Sequence, residues 1–216
     1  MTLDIHVPAG STGHDSLTVD ISAADAGWTY CGLRVAVLGA GKGLTLSTGD
    51  YELLVLPLAG AATVETGGRT HRLAGRRGVF EEVTDFLYVP RRTELTLSSE
   101  AGGRFALPAA IAERNLPVRR LGRERVRTDL RGAGDCSRQV NNYALNNGVE
   151  TSHLLCCEVL TPGGNWSSYP PHRHDREGAD ERELEEIYYF EIAPSPAGDP
   201  GFGLHRTYAS DPDRPI

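Results

Sequence analysis

Short runs of alternating apolar and polar residues dominate the first half of the chain, and glycine or proline residues separate them. An alternation with a period of two residues places the apolar side chains on one face of a β-strand. The pattern predicts strands over residues 29–38, 44–47, 51–58, 62–65, 70–73, 86–89 and 94–98. Between two of these runs, Gly67 and Gly68 predict a hairpin with a tight primed turn, because glycine accepts the positive φ angles that such turns need.

The second half predicts further strands at residues 154–160, 187–190 and 203–209, and few helices. The segment 108–131 is rich in arginine and predicts a linker whose charges form ion pairs, with binding of a carboxylate or phosphate as the alternative. The highly charged segment 175–185 predicts a solvated loop. The expected organisation is an N-terminal β domain over 1–107, a linker over 108–131 and a C-terminal β domain over 132–216.

The charge of the chain argues against two classes of partner. Its 22 Lys and Arg residues against 29 Asp and Glu residues give a net charge of -7, so no global positive field attracts nucleic acid or an anionic membrane. The N-terminus lacks the basic and apolar regions of a secretory signal, and the longest apolar run, 53–62, is too short to cross a bilayer. We therefore expect a cytoplasmic protein without a membrane segment.

The cysteines do not suggest a metal or disulfide framework. No two of them form a CxxC pair, and the adjacent Cys156 and Cys157 must point to opposite faces of the predicted strand. We expect all four to be buried reduced thiols: Cys31, Cys136, Cys156 and Cys157.

A candidate metal site lies in the second half, where His172 and His174 are two residues apart and Glu186 precedes the predicted strand 187–190. Residues two apart on a strand share a face, so the two imidazoles can aim at one point. Two imidazoles and a carboxylate suit zinc, manganese or ferrous iron. Glu183 and Glu185 are the competing carboxylates, and a His-x-His pair on a solvated strand is the alternative without a metal.

The chain resembles the 5-deoxy-glucuronate isomerase family, the cupin-type sugar-acid isomerases of bacterial myo-inositol catabolism. The resemblance rests on residues 136–143, on residues 158–175 with the run Trp166-Ser-Ser-Tyr-Pro-Pro-His172-Arg-His174, and on residues 184–189. It implies an all-β chain of two cupin (double-stranded β-helix, jelly-roll) domains, with the metal in the C-terminal one and none in the N-terminal one. The metal ligands it implies are His172, His174 and Glu186.

The family reaction converts 5-deoxy-D-glucuronate into 5-dehydro-2-deoxy-D-gluconate, an aldose to ketose isomerisation that needs a divalent metal but no redox change. Zinc is the expected ion, with manganese or iron as alternatives. Arg138 and Gln139 are the candidate residues for binding the sugar acid, since a guanidinium matches a carboxylate, with a structural ion pair of Arg138 as the alternative. Tyr169 and Tyr188 are the candidate catalytic residues, with packing in the core of the barrel as the alternative.

The resemblance also raises a question about the end of the chain. The family has a fourth ligand histidine on a later strand, and this sequence reaches Ile216 without it, so we expect an incomplete C-terminal cupin domain or a site that closes differently. Two alternative functions remain open. Two histidines and one carboxylate are also the metal ligands of a non-haem iron cupin dioxygenase, and the missing fourth ligand favours a non-catalytic sugar-binding cupin. A homodimer is an expectation by analogy with other cupins.

Overall fold

β-Strands make up almost all the regular structure in the computed structural model, which describes residues 5–145, 147, 149–169 and 171–208. The strands of this part of the chain are β1 (Leu17–Ile21), β2 (Cys31–Leu38), β3 (Lys42–Ser47), β4 (Tyr51–Thr66), β5 (Arg69–Arg76), β6 (Phe86–Val89), β7 (Glu94–Ser99), β8 (Gly103–Ile111), β9 (Arg119–Leu121), β10 (Arg127–Arg131), β11 (Arg138–Ala144) and β12 (Cys156–Leu160). The all-β prediction is therefore confirmed.

The helical elements are short. The helix α1 (Ala23–Ala26) begins at a capping box, in which the Ser22 and Asp25 side chains each accept a hydrogen bond from the other residue's backbone N–H. Two 3-10 turns cover Arg123–Arg125 and Gly134–Cys136. Among the described residues, no helix has the length and apolar character needed to cross a membrane.

Strands β1 to β9 form one antiparallel sheet that is folded at the long strand β4. The first half of β4 pairs with β6 and β8, and its second half pairs with β5 and β7. The register shifts near Pro57 and Gly60, where proline lacks an N–H and Gly60 adopts φ +90°. The sequence predicted two separate strands here, but the bend keeps them in one strand that belongs to both halves of the sheet.

The hydrophobic core lies between these two halves. It contains alternate residues of β4 to β8, which the period-two pattern had placed on one face, and most of them are almost fully buried: Leu53, Val55, Val64, Leu73, Leu87, Val89, Leu95, Leu97, Phe105 and Leu107. The hairpin predicted between β4 and β5 is confirmed. Gly67 and Gly68 have φ of 55° and 70°, the two positive values of a type I′ turn, and Thr66 pairs with Arg69.

A second antiparallel sheet has the order β10-β11-β12. The segment 108–131, predicted as a linker, contains the end of β8 together with β9 and β10, and β9 pairs with β6. Its arginines form the predicted ion pairs, for example Arg120 with Asp85, Arg123 with Glu82 and Arg114 with Glu150. The domain boundaries at 107 and 131 stay predictions.

The chain forms two compact units, Met1–Ser167 and Ser168–Ile216. In the second unit, no strand is present in the described residues 168–169 and 171–208, so the predicted strands at 187–190 and 203–208 are wrong; Ala209 lies outside the described residues. The β-branched and aromatic residues of these segments have a high strand propensity, but a strand also needs a hydrogen-bonded neighbour, and propensity does not supply one.

The cysteines are free, as predicted, but they are less buried than expected. Cys31, Cys136 and Cys156 are partly buried, and Cys157 is exposed. The different exposure of Cys156 and Cys157 agrees with the prediction that they point to opposite faces of β12.

Candidate metal centre

His172 and His174 lie side by side in the second unit, with their ring centroids 5.0 Å apart. The backbone here is not a strand, contrary to the sequence prediction, but the two imidazoles are still neighbours. Arg173, between them, pairs with Glu181, with donor to acceptor distances of 2.9 and 2.6 Å. The two histidines therefore lie together while the residue between them makes a different contact.

Glu186 joins the two histidines. Each of the three side chains offers a ligand atom that lies within 4.8 Å of the other two, and His172 Nε2 is 3.3 Å from Glu186 Oε2. The side chains of His172 and Glu186 are 41% and 43% exposed, so an ion can reach them from solvent. The competing carboxylates Glu183 and Glu185 are not in this group.

The tautomer of His174 is suited to a ligand. Its Nδ1 lies 2.9 Å from the backbone carbonyl oxygen of Arg182, and this carbonyl can only accept a hydrogen bond. The proton of a neutral ring is therefore on Nδ1, and the lone pair on Nε2 is free for a metal. A histidine held by a carbonyl through its other nitrogen is the usual arrangement in metal sites.

The charged loop 175–185 folds back on itself and brings Glu186 to the histidines. The side chain of Arg182 pairs with Glu177 at 2.9 Å, and the backbone N–H of Leu184 donates to the carbonyl oxygen of His174. The Arg173 guanidinium lowers the pKa of the Glu181 carboxyl through its hydrogen bonds, and Glu181 in turn raises the pKa of Arg173. The solvated loop predicted here is confirmed, since its residues are mostly exposed.

Tyr188 contacts two of the three candidate ligands. Its hydroxyl donates to Glu186 Oε1 at 3.0 Å and lies 3.3 Å from His172 Nε2. The ring of Tyr188 stacks on Phe190, with centroids 5.8 Å apart and an interplanar angle of 9°. Glu186, Tyr188 and Phe190 therefore lie on one side of the segment, although no strand forms here.

His205 packs against this aromatic pair, with its ring centroid 5.2 Å from Tyr188 and 5.4 Å from Phe190. Its Nε2 lies 3.1 Å from the hydroxyl of Thr207, and it is not in the group of candidate ligands. The other catalytic candidate, Tyr169, is exposed.

The candidate substrate-binding residues Arg138 and Gln139 are consecutive on β11, in the first unit. Consecutive strand residues point to opposite faces of a sheet, and the contacts of the two side chains differ accordingly. Arg138 Nη1 donates to the carbonyl oxygen of Cys136 at 3.0 Å, and Gln139 Nε2 donates to Asn141 Oδ1 at 3.0 Å.

The contact of His174 with the backbone carbonyl of Arg182 was not predictable from the sequence, because every residue carries the same carbonyl group and no side-chain pattern marks it. The packing of His205 under Tyr188 was also not predicted, since the two residues are far apart in sequence.

Comparison with known proteins identifies a family and several relatives that this chain matches. A model of the KduI/IolB family matches residues 5–216. A 5-deoxy-glucuronate isomerase of Geobacillus kaustophilus is 34% identical over 208 residues, which cover 95% of this chain and 74% of the relative. A protein of the same name from Bacillus subtilis strain 168 is 31% identical over 198 residues, covering 90% of this chain and 72% of that relative.

A solved structure is also similar. The crystal structure of an IolB-like protein from Salmonella typhimurium LT2 matches with a TM-score of 0.74 and 31% identity, over 79% of this chain. The match covers 65% of the Salmonella chain, so this sequence spans somewhat less than two thirds of that protein. Together with the strand content, this match confirms the all-β fold class predicted from the sequence.

Proposed function

Because this chain belongs to the KduI/IolB family, we propose that it is an aldose–ketose isomerase that converts 5-deoxy-D-glucuronate into 5-dehydro-2-deoxy-D-gluconate, a step of myo-inositol catabolism. Relatives named 5-deoxy-glucuronate isomerase support this function at 31 to 34% identity. The observation that carries the proposal is the convergence of His172, His174 and Glu186 within 4.8 Å.

The donor set fits a divalent cation of the first transition series. Imidazole nitrogen and carboxylate oxygen are ordinary ligands of zinc, and the open sides of the group leave room for substrate oxygen atoms. We propose zinc, with manganese or iron as the alternatives. When bound, such an ion supplies Lewis acidity that polarises the carbonyl group of the substrate.

The reaction moves a proton from the hydroxyl-bearing carbon to the aldehyde carbon. Tyr188 is the proposed proton carrier, because its hydroxyl lies against Glu186 Oε1 and can exchange a proton with a group bound beside the two ligands. Tyr169 is the second candidate for this role. Arg138 is proposed to bind the carboxylate of the sugar acid, since its guanidinium has further N–H donors besides Nη1, which donates to the carbonyl oxygen of Cys136.

The experiment that tests the proposal measures metal content and turnover in the same samples. The wild-type chain is expected to convert the uronic acid, to lose activity after chelation and to regain it with zinc. His172→Ala and Glu186→Gln should each lower metal affinity at least about tenfold, because each removes one ligand of three. His205→Ala is the matched control, since His205 lies near Tyr188 but outside the group.

Two results would contradict the proposal. Activity that survives complete metal loss in either ligand variant would refute the assignment of the ligands. A zinc-loaded wild-type chain that binds the metal and converts no uronic acid would refute the isomerase function and leave the metal site in place.

A further inference from the structure

The charged loop 175–185 is joined to His174 at its base by two hydrogen bonds. The backbone N–H of Leu184 donates to the carbonyl oxygen of His174 at 3.1 Å, and the ring Nδ1 of His174 lies 2.9 Å from the carbonyl oxygen of Arg182. The loop separates His174 from Glu186 in the sequence, and these contacts bring its end back beside its start. The loop therefore sets the distance between two of the candidate ligands.

An ion pair closes the same loop from the side of the histidines. Arg173 lies between His172 and His174 in the sequence. Its guanidinium donates through Nε and Nη2 to the two carboxylate oxygens of Glu181, at 2.9 and 2.6 Å. Glu181 directly precedes Arg182, whose carbonyl faces His174. Because a bidentate pair fixes the orientation of both planar groups as well as their distance, it helps to hold this carbonyl against the ring.

Contacts inside the loop give it a defined shape. The carboxylate of Glu177 pairs with the side chain of Arg182 at 2.9 Å and accepts from the backbone N–H of Glu183 at 3.1 Å. The backbone N–H of Gly178 donates to the carbonyl oxygen of Glu181 at 3.1 Å. These contacts tighten the turn that carries Glu181 and present its carboxylate to the guanidinium.

Arg173 places a positive charge beside a candidate cation site. A guanidinium repels a divalent cation, so on charge alone its removal should strengthen metal binding. A closed loop has the opposite effect, because the entropy of closing it is then lost on folding and not on metal binding. The bidentate contact with Glu181 both neutralises the guanidinium and closes the loop, so the second effect should exceed the first.

We propose that Arg173 and Glu181 are positioning residues of the metal centre, whose ion pair holds the charged loop closed so that its two flanking ligands lie together before a cation binds. The assignment of these ligands rests on the proposed function. Removing a group that directly contacts a ligand typically weakens metal binding about 10- to 100-fold. This pair acts one contact further away and is 41% and 33% exposed, so we expect an effect of about fivefold on the zinc dissociation constant.

Zinc titration against a competing chelator tests the sign of the effect. Arg173→Met keeps the length of the side chain and removes its charge. Arg176→Met is the matched control, because it removes the same charge from an exposed position of the same loop. We expect Arg173→Met to bind zinc about fivefold more weakly than Arg176→Met under the same conditions. Equal affinities, or tighter binding by Arg173→Met, would overturn the proposal, because the charge alone would then account for the effect.

A second substitution tests whether the pair is the cause. Glu181→Gln should bind zinc at least as weakly as Arg173→Met, because it also leaves the guanidinium without its counter-charge. Adding Arg173→Met to Glu181→Gln should weaken binding no further, since both substitutions remove the same contact. Multiplied losses in the double variant would contradict the proposal.

Hydrogen exchange of the metal-free chain provides a readout that does not depend on zinc. The amide hydrogen of Leu184 should exchange about fivefold faster in Arg173→Met than in Arg176→Met, because its hydrogen bond to His174 opens with the loop. Equal exchange rates would show that the pair does not close the loop. A wild-type chain that binds no zinc would refute the metal centre and the proposed function with it, whereas zinc binding that is equal in the two variants refutes this inference alone.

Discussion

Glu52 provides the sharpest test of the physical reasoning in the first unit. Its carboxylate is fully buried on β4 and accepts four hydrogen bonds. Oε2 accepts from the hydroxyl of Tyr88 and the backbone N–H of Ser152, both at 2.7 Å. Oε1 accepts from the backbone N–H groups of His153 and Leu154, at 2.6 and 2.7 Å. One side chain thus anchors the segment before β12 to the first sheet.

Glu52→Gln should lower the free energy of unfolding by about 4 kcal/mol. The new NH2 group faces at least one backbone N–H, and a buried unpaired donor costs about 2 kcal/mol. The three remaining hydrogen bonds lose their charge assistance, at about 0.5 to 1 kcal/mol each. Burial and the Glu52 carboxylate raise the pKa of Tyr88, so the tyrosine is a donor in the native protein across the neutral range.

The measurement is urea unfolding of wild type and variant, followed by circular dichroism, and a fall in the melting temperature of about 10 °C should accompany it. Tyr88→Phe is the matched control, because it removes a single hydrogen bond and leaves the other three on Glu52. If Glu52→Gln lowers the free energy of unfolding no more than Tyr88→Phe does, any acceptor can replace the carboxylate, and its charge does not stabilise this part of the fold.

Three further predictions concern other parts of the first unit. Arg76→Met should lower the free energy of unfolding by about 3 to 5 kcal/mol in denaturant unfolding, because it leaves the largely buried carboxylate of Glu158 without its guanidinium partner. A loss under about 1 kcal/mol would contradict this. The Arg91 guanidinium lowers the pKa of Asp50, so that pair stabilises the fold above the ordinary pKa of the carboxyl and loses its effect as the pH falls through the depressed folded-state pKa. Asp50→Asn should therefore melt below wild type at pH 7 and together with it in strong acid; the opposite trend would exclude the ion pair as the cause. Gly75→Ala should unfold the sheet bend, because at φ +66° its Cβ would lie 1.8 Å from the backbone oxygen of Gly60. A Cβ at Gly67 would lie in open space, so Gly67→Ala should lower the free energy of unfolding by only about 1 kcal/mol. Similar melting temperatures for the two variants would be inconsistent with this packing.

The hydrophobic pattern predicted most strands of the first unit because alternation is a local property of the sequence. Residues 86–89 and 94–98 match β6 and β7 almost residue for residue. The pattern could not predict that β4 joins residues 51–58 and 62–65, because this depends on how the bend near Gly60 fits against Gly102. The carbonyl oxygen of Gly102 lies 2.6 Å from where a Cβ at Gly60 would be, so only glycine fits there. The strand at 187–190 failed for the converse reason, since its residues have the propensity but no neighbouring strand pairs with them in the described part of the chain.

The same distinction between local sequence and tertiary structure applies to the candidate metal centre. By itself, the sequence determined the all-β class and the His-x-His spacing, and through a family resemblance it singled out Glu186 from its neighbours Glu183 and Glu185. Only the tertiary structure decided that the charged loop returns Glu186 to within 3.3 Å of His172, and that a backbone carbonyl sets the tautomer of His174. The reason is physical: side-chain alternation and residue type act within a few residues, whereas loop closure and the backbone partners of a side chain depend on where distant parts of the chain meet.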